Sequence, residues 1–145
     1  MRNEQILLPM LGMMVLTAVV WFVMYARRIP AMRKARKPAQ VYTTPDKVAE
    51  ILPKEINYPA YNLKNLFELP VLFYALCLYF YVTATAESVD VIAAWLFLLF
   101  RVVHSAIHCT ANIVMARFLT YCAAALALWF MLGRALWGVY LTALV

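Results

Sequence analysis

Two sets of polar residues interrupt stretches that are otherwise apolar. Asn65-x-x-Glu68 heads one run, and Arg101-x-x-His104-x-x-x-His108-x-x-x-Asn112 lies inside another. The second spacing places all four groups on one face of a helix. Charge is expensive at bilayer depth unless it is paired or faces water, so such residues mark a site or a structural pair. Glu68 and Arg101 carry opposite charges from different segments. Together they would neutralise each other, either to fix helix packing or as one wall of a polar cavity. His104 and His108 have the i, i+4 spacing by which two imidazoles share a metal. Only Glu68 offers a further ligand, so interhelical hydrogen bonding and contact with a bound molecule are the competing uses, and no metal is expected. Arg117 follows at a membrane edge, with Tyr121 one helical turn on. It serves there as an interface anchor or as the partner of an anion or thiolate, since a nearby cation favours the thiolate.

The elements that must position these groups are membrane spans. Of 145 residues, 66% are hydrophobic and 14% charged, well beyond the apolar share of a soluble domain. Four stretches, residues 6–25, 66–85, 91–115 and 118–144, reach the roughly 20 residues that cross about 30 Å of hydrocarbon. The first is read as a retained helix, because Met24-Tyr25-Ala26-Arg27-Arg28 is a poor leader-cleavage site. One domain, residues 1–145, is expected.

The charge surplus lies in one place. Arg27, Arg28, Arg33, Lys34, Arg36, Lys37, Lys47, Lys54 and Lys64 all fall between the first and second spans, whereas the next link carries only Glu87 and Asp90. Such bias places the loop 27–64 in the cytoplasm and both termini opposite. Contact with anionic lipid explains the basic loop better than nucleic acid does. Five prolines punctuate residues 27–61 and argue against one long helix there, although Thr44-Pro45 can cap and start a short one. Pro70 is expected to bend the second span, and Arg134 to snorkel at the far interface. Cys77, Cys109 and Cys122 show no pairing pattern and read as small hydrophobes. One four-helix protomer has little room for Arg101, two histidines and Asn112, which favours an oligomer with sites between subunits.

These residues carry a family resemblance. Asn65-Leu66-Phe67-Glu68-Leu69-Pro70 resembles the segment opening the second helix of MAPEG proteins, the membrane-associated proteins in eicosanoid and glutathione metabolism. Phe100-Arg101-Val102-Val103-His104-Ser105-Ala106-Ile107-His108, followed by Arg117-Phe118-Leu119-Thr120-Tyr121, is similar to the third helix and following turn of that family. The likeness is greatest to the branch of microsomal glutathione transferases and prostaglandin E synthase, and it spans the chain. The resemblance implies an all-α integral membrane protein, a four-helix transmembrane bundle forming a homotrimer with sites between protomers. It implies glutathione as cosubstrate, held by Asn65, Glu68, Arg101, His104, His108 and Tyr121, with Arg117 stabilising the thiolate. Two positions depart from the family pattern. Tyr61 stands where relatives have a basic residue, and His108 stands where they often have Tyr. A missing cation removes a charge-assisted hydrogen bond worth roughly 1.5–3 kcal/mol, and Arg28 or Lys64 would have to substitute.

The expected function is a glutathione-dependent transferase or peroxidase acting on lipophilic electrophiles or lipid hydroperoxides. Its partners would be a second and third copy of the chain, membrane lipids and a lipophilic small molecule, with no nucleic acid. The alternative is a non-catalytic lipid-binding or accessory subunit with the same fold. The absence of a leader or retrieval tail favours a bacterial inner membrane.

Overall fold

The computed structural model describes residues 3–144. A short 3-10 turn at Asn3–Ile6 leads into α1, Leu7–Ala35. Then follow α2 (Pro45–Ile51), α3 (Lys54–Asn65), α4 (Leu69–Val82), α5 (Ser88–Cys109) and α6 (Val114–Ala143). Four helical stretches are long and apolar enough to cross a membrane: Asn3–Ala35, Lys54–Val82, Ser88–Cys109 and Val114–Leu141. The chain is an all-α, multi-pass membrane protein. Its outer surface carries large apolar side chains such as Phe22, Leu99, Leu126 and Trp137, as lipid contact demands and water would not tolerate.

Helix α5 is the centre of the packing. It lies along α6 on one side and against α1 and α3 on the other. Phe73 of α4 stacks on Phe97 of α5 with ring centroids 4.3 Å apart. Met13, Cys77, Leu128 and Met131 close the core around them. Where α1 crosses α5, a Cβ on Gly12 would lie 2.6 Å from a terminal methyl of Leu98. Helices in lipid associate through van der Waals contact, so a small residue at a crossing sets how closely they approach. Gly12→Ala should therefore be less stable in detergent than Gly133→Ala, which meets nothing within 4 Å. Both gain about 1 kcal/mol of helix propensity, so their difference, expected at about 1 kcal/mol because a terminal Leu98 methyl can give way, isolates the overpacking. Equal melting temperatures would mean that α1 is not seated on Leu98.

The basic loop is more helical than its prolines suggest. Helix α1 continues past the apolar stretch to Ala35 with Pro30 inside it, and Arg36 ends it in the left-handed region at φ 50°. Pro59 lies inside α3. Pro45 opens α2, where the Lys47 N–H donates to Thr44 Oγ1 at 3.3 Å, the cap that the sequence indicates. The three cysteines are free thiols.

Arg134 is not a lone snorkelling cation. Its Nε donates to Asp90 Oδ1 at 2.8 Å and its Nη2 pairs with Glu87 Oε2 at 2.8 Å. Asp90 is wholly buried and also accepts from the Glu87 N–H at 2.9 Å, capping α5. Asp90→Ala would remove both a cap and an ion-pair partner, at a cost of about 2–4 kcal/mol. Glu87→Ala removes an exposed partner and should cost at most about 1 kcal/mol. Thermal unfolding of the two variants tests this, and similar losses would contradict the role given to Asp90.

Candidate functional site

The site begins with a helix break. Pro70 has no N–H to offer the carbonyl one turn earlier, so α3 ends at Asn65 and α4 restarts at Leu69 with the proline in its first turn. The break leaves Asn65 O only a long 3.4 Å bond from Glu68 N. Arg101 takes up this under-used acceptor, its Nη2 donating to Asn65 O at 2.9 Å.

The polar stripe on α5 faces inward, as its spacing requires. Arg101 is fully buried, and His104, Ser105 and His108 are nearly so. The Arg101 guanidinium carbon lies 5.7 Å from the ring centroid of Tyr121, a cation–π contact with α6. Its Nε and Nη1 have no partner among the described residues. His104 Nδ1 lies 2.9 Å from the carbonyl oxygen of Arg117. A carbonyl only accepts, so Nδ1 carries the proton and Nε2 of the neutral ring is left as an acceptor. That Nε2 is buried without a partner, as is His108 Nδ1. The two imidazoles meet edge to face, 5.5 Å apart, and His104 is 5.9 Å from the Tyr121 ring. Arg117, half-buried at the α5–α6 turn, donates from Nη1 to Asn112 Oδ1 at 2.6 Å. Asn112 itself has φ 50°, a conformation asparagine tolerates better than most residues.

Arg101, His104, His108, Arg117 and Tyr121 thus gather at one end of the α5–α6 pair. Glu68 does not complete an ion pair with them. Among the described residues the ion pairs are those of Arg134. Glu68 sits at the break with φ −98° and ψ −104°, which turns it to the exposed side. It pulls on Arg101 only through space. The expected Glu68–Arg101 contact is replaced by the Asn65 carbonyl, because the break that frees the carbonyl also swings the carboxylate away. Among the described residues no group of three or more His, Cys, Asp or Glu is arranged to hold a metal ion.

A second buried polar network lies beside the first and was not singled out from the sequence. Asn62 donates to Cys109 Sγ at 3.5 Å and accepts from Ser105 Oγ at 3.4 Å. Arg27 Nη1 donates to Cys109 O at 2.6 Å. Together these bonds tie α1, α3 and the end of α5 around the site. Asn57, Pro59 and Asn62 are all buried without sharing one face of α3, so apolar periodicity gives no signal for them. Tyr61, at the position where a cation was expected, is about half exposed. Of its two substitutes, Arg28 is engaged by Asn57 Oδ1 at 3.3 Å, whereas Lys64 is exposed.

The fold and this cluster can be set beside known proteins. A family model described as the MAPEG family matches residues 6–137. Comparison with curated proteins and with solved structures returned no match.

Proposed function

Because the chain belongs to the MAPEG family, whose members work in glutathione and eicosanoid chemistry at membranes, we propose that it is a glutathione-dependent transferase or peroxidase. Its acceptors would be lipophilic electrophiles or lipid hydroperoxides. The observation that carries this reading is Arg101, fully buried with two guanidinium nitrogens unpartnered. A buried cation with open donors is costly to fold around unless an anion arrives. The carboxylates of glutathione are such anions. His104 Nε2 and His108 Nδ1, likewise unpartnered, offer further contacts for the tripeptide, with Asn65, Glu68 and Tyr121 at the margins.

Arg117 is the cation for the thiol. It is half-buried, held by Asn112, and one helical turn from Tyr121. A fixed cation lowers a thiol pKa and raises the reactive thiolate fraction. The lipophilic acceptor would come sideways from the bilayer. A groove of about 440 Å³ between α5 and α6 is lined by Leu96, Phe100, Ala123 and Ala127, and so runs up to the neighbour of Arg101.

A Glu68 turned outward, and a half-buried Arg117, fit a homotrimer in which a neighbouring protomer closes each site. The loop 27–64 would face the cytoplasm, and a bacterial inner membrane is the proposed location. The second reading, an accessory subunit without catalysis, is favoured by Tyr61 and His108 in place of the family's usual residues. Conjugation of glutathione to 1-chloro-2,4-dinitrobenzene, with reduction of a lipid hydroperoxide as the parallel assay, separates the two. Turnover in either assay supports the enzyme. Glutathione-independent background in both would favour the accessory reading.

A further inference from the structure

At the loop end of the bundle, away from Arg101, a cleft of about 480 Å³ separates α1 from the α2–α3 corner. Arg27, Ala31 and Lys34 follow at helical spacing on its α1 side, and Leu52, Pro53 and Ile56 form the wall opposite. The α1 side therefore carries two cations, Arg27 and Lys34, among Pro30, Ala31 and Ala35, and the wall opposite is apolar. The apolar wall is fixed from behind. Asn57, almost fully buried, donates to Leu52 O at 3.5 Å and Pro53 O at 3.3 Å, and accepts from Arg28. Arg27 is fixed by its bond to Cys109 O. The cleft is thus held by hydrogen bonds on both of its sides.

Its depth in the membrane follows from helix length. The apolar part of α1, residues 6–25, accounts for about 30 Å of hydrocarbon, so the two turns from Arg27 to Lys34 emerge at headgroup level. The segment 27–64 holds nine basic and three acidic residues, which concentrates negative headgroups around it. The two cations meet a phosphate there, and the apolar wall meets the glycerol and upper acyl carbons.

We propose that this cleft is a binding site for the headgroup of an anionic phospholipid, with Arg27 and Lys34 contacting the phosphate and Leu52, Pro53 and Ile56 covering the acyl end. Native mass spectrometry and thermal shift of the purified full-length chain, titrated with phosphatidylglycerol or phosphatidylcholine, test it. The parent should bind phosphatidylglycerol at least about tenfold more tightly, each surface cation near an anionic headgroup being worth roughly fivefold. Arg27→Gln/Lys34→Gln should abolish the preference. Lys34→Gln alone, at an exposed position, should lower it about fivefold and does not depend on the bond from Arg27 to Cys109. Lys37→Gln/Lys47→Gln removes two exposed charges outside the cleft and should leave most of the preference. Overturning results are equal binding of the two lipids, an equal loss in the control pair (diffuse attraction rather than a site), or full displacement by millimolar inorganic phosphate.

Discussion

Arg101→Met should abolish glutathione binding while leaving the protein as stable as before, or more so. The substitution removes a fully buried guanidinium of which two nitrogens have no partner among the described residues. Methionine removes the cost of burying two open donors, and under this reading that gain offsets the lost bond to Asn65 O. Binding moves the other way. Each charge-assisted hydrogen bond to a ligand carboxylate is worth roughly 1.5–3 kcal/mol, so loss of two weakens binding at least about a hundredfold. If Arg101 instead serves packing, its bond to Asn65 O and its contact with Tyr121 would be lost with no compensation. Arg101→Met would then melt lower. The sign of the melting shift in the absence of glutathione distinguishes the two roles.

Arg117→Ala should lower the conjugation rate about 10²–10³-fold, the usual effect of removing one preorganised stabiliser of a developing charge, with a smaller loss in glutathione affinity. The structure makes this substitution clean. What holds His104 is the Arg117 carbonyl, which alanine keeps. What is lost is the cation and its 2.6 Å bond to Asn112 Oδ1. Asn112→Ala breaks the same bond while keeping the cation. It should retain most of the rate, and a rate as low as that of Arg117→Ala would assign the effect to a loosened turn. Unchanged turnover in Arg117→Ala would rule out the thiolate role altogether.

The features legible in the sequence were those set by local rules. The four spans follow from apolar length, the Thr44 cap from its neighbours, and the inward stripe on α5 from spacing alone. The departures are tertiary. Pro70 reads as a bend in the sequence, but it splits a helix, and the split moves Glu68 outward while opening Asn65 O to Arg101. Arg134 looks like an isolated cation in the sequence because its partners belong to another helix. Asp90 and Arg134 are equally distant in sequence from Asn112 at the α5–α6 turn, and antiparallel register would have paired them. Helix α3 was hidden by polar composition. Its composition is loop-like, and its buried Asn57, Pro59 and Asn62 are polar or helix-breaking and lie on no single face, so periodicity does not reveal them.

The two open nitrogens of the Arg101 guanidinium are the premise on which the proposed glutathione site rests. Isothermal titration of glutathione into purified parent protein and Arg101→Met, in the same detergent, addresses it most directly. Saturable heat with the parent and none with the variant is the predicted result. No heat with the parent at millimolar glutathione, or equal heat with both, would contradict it.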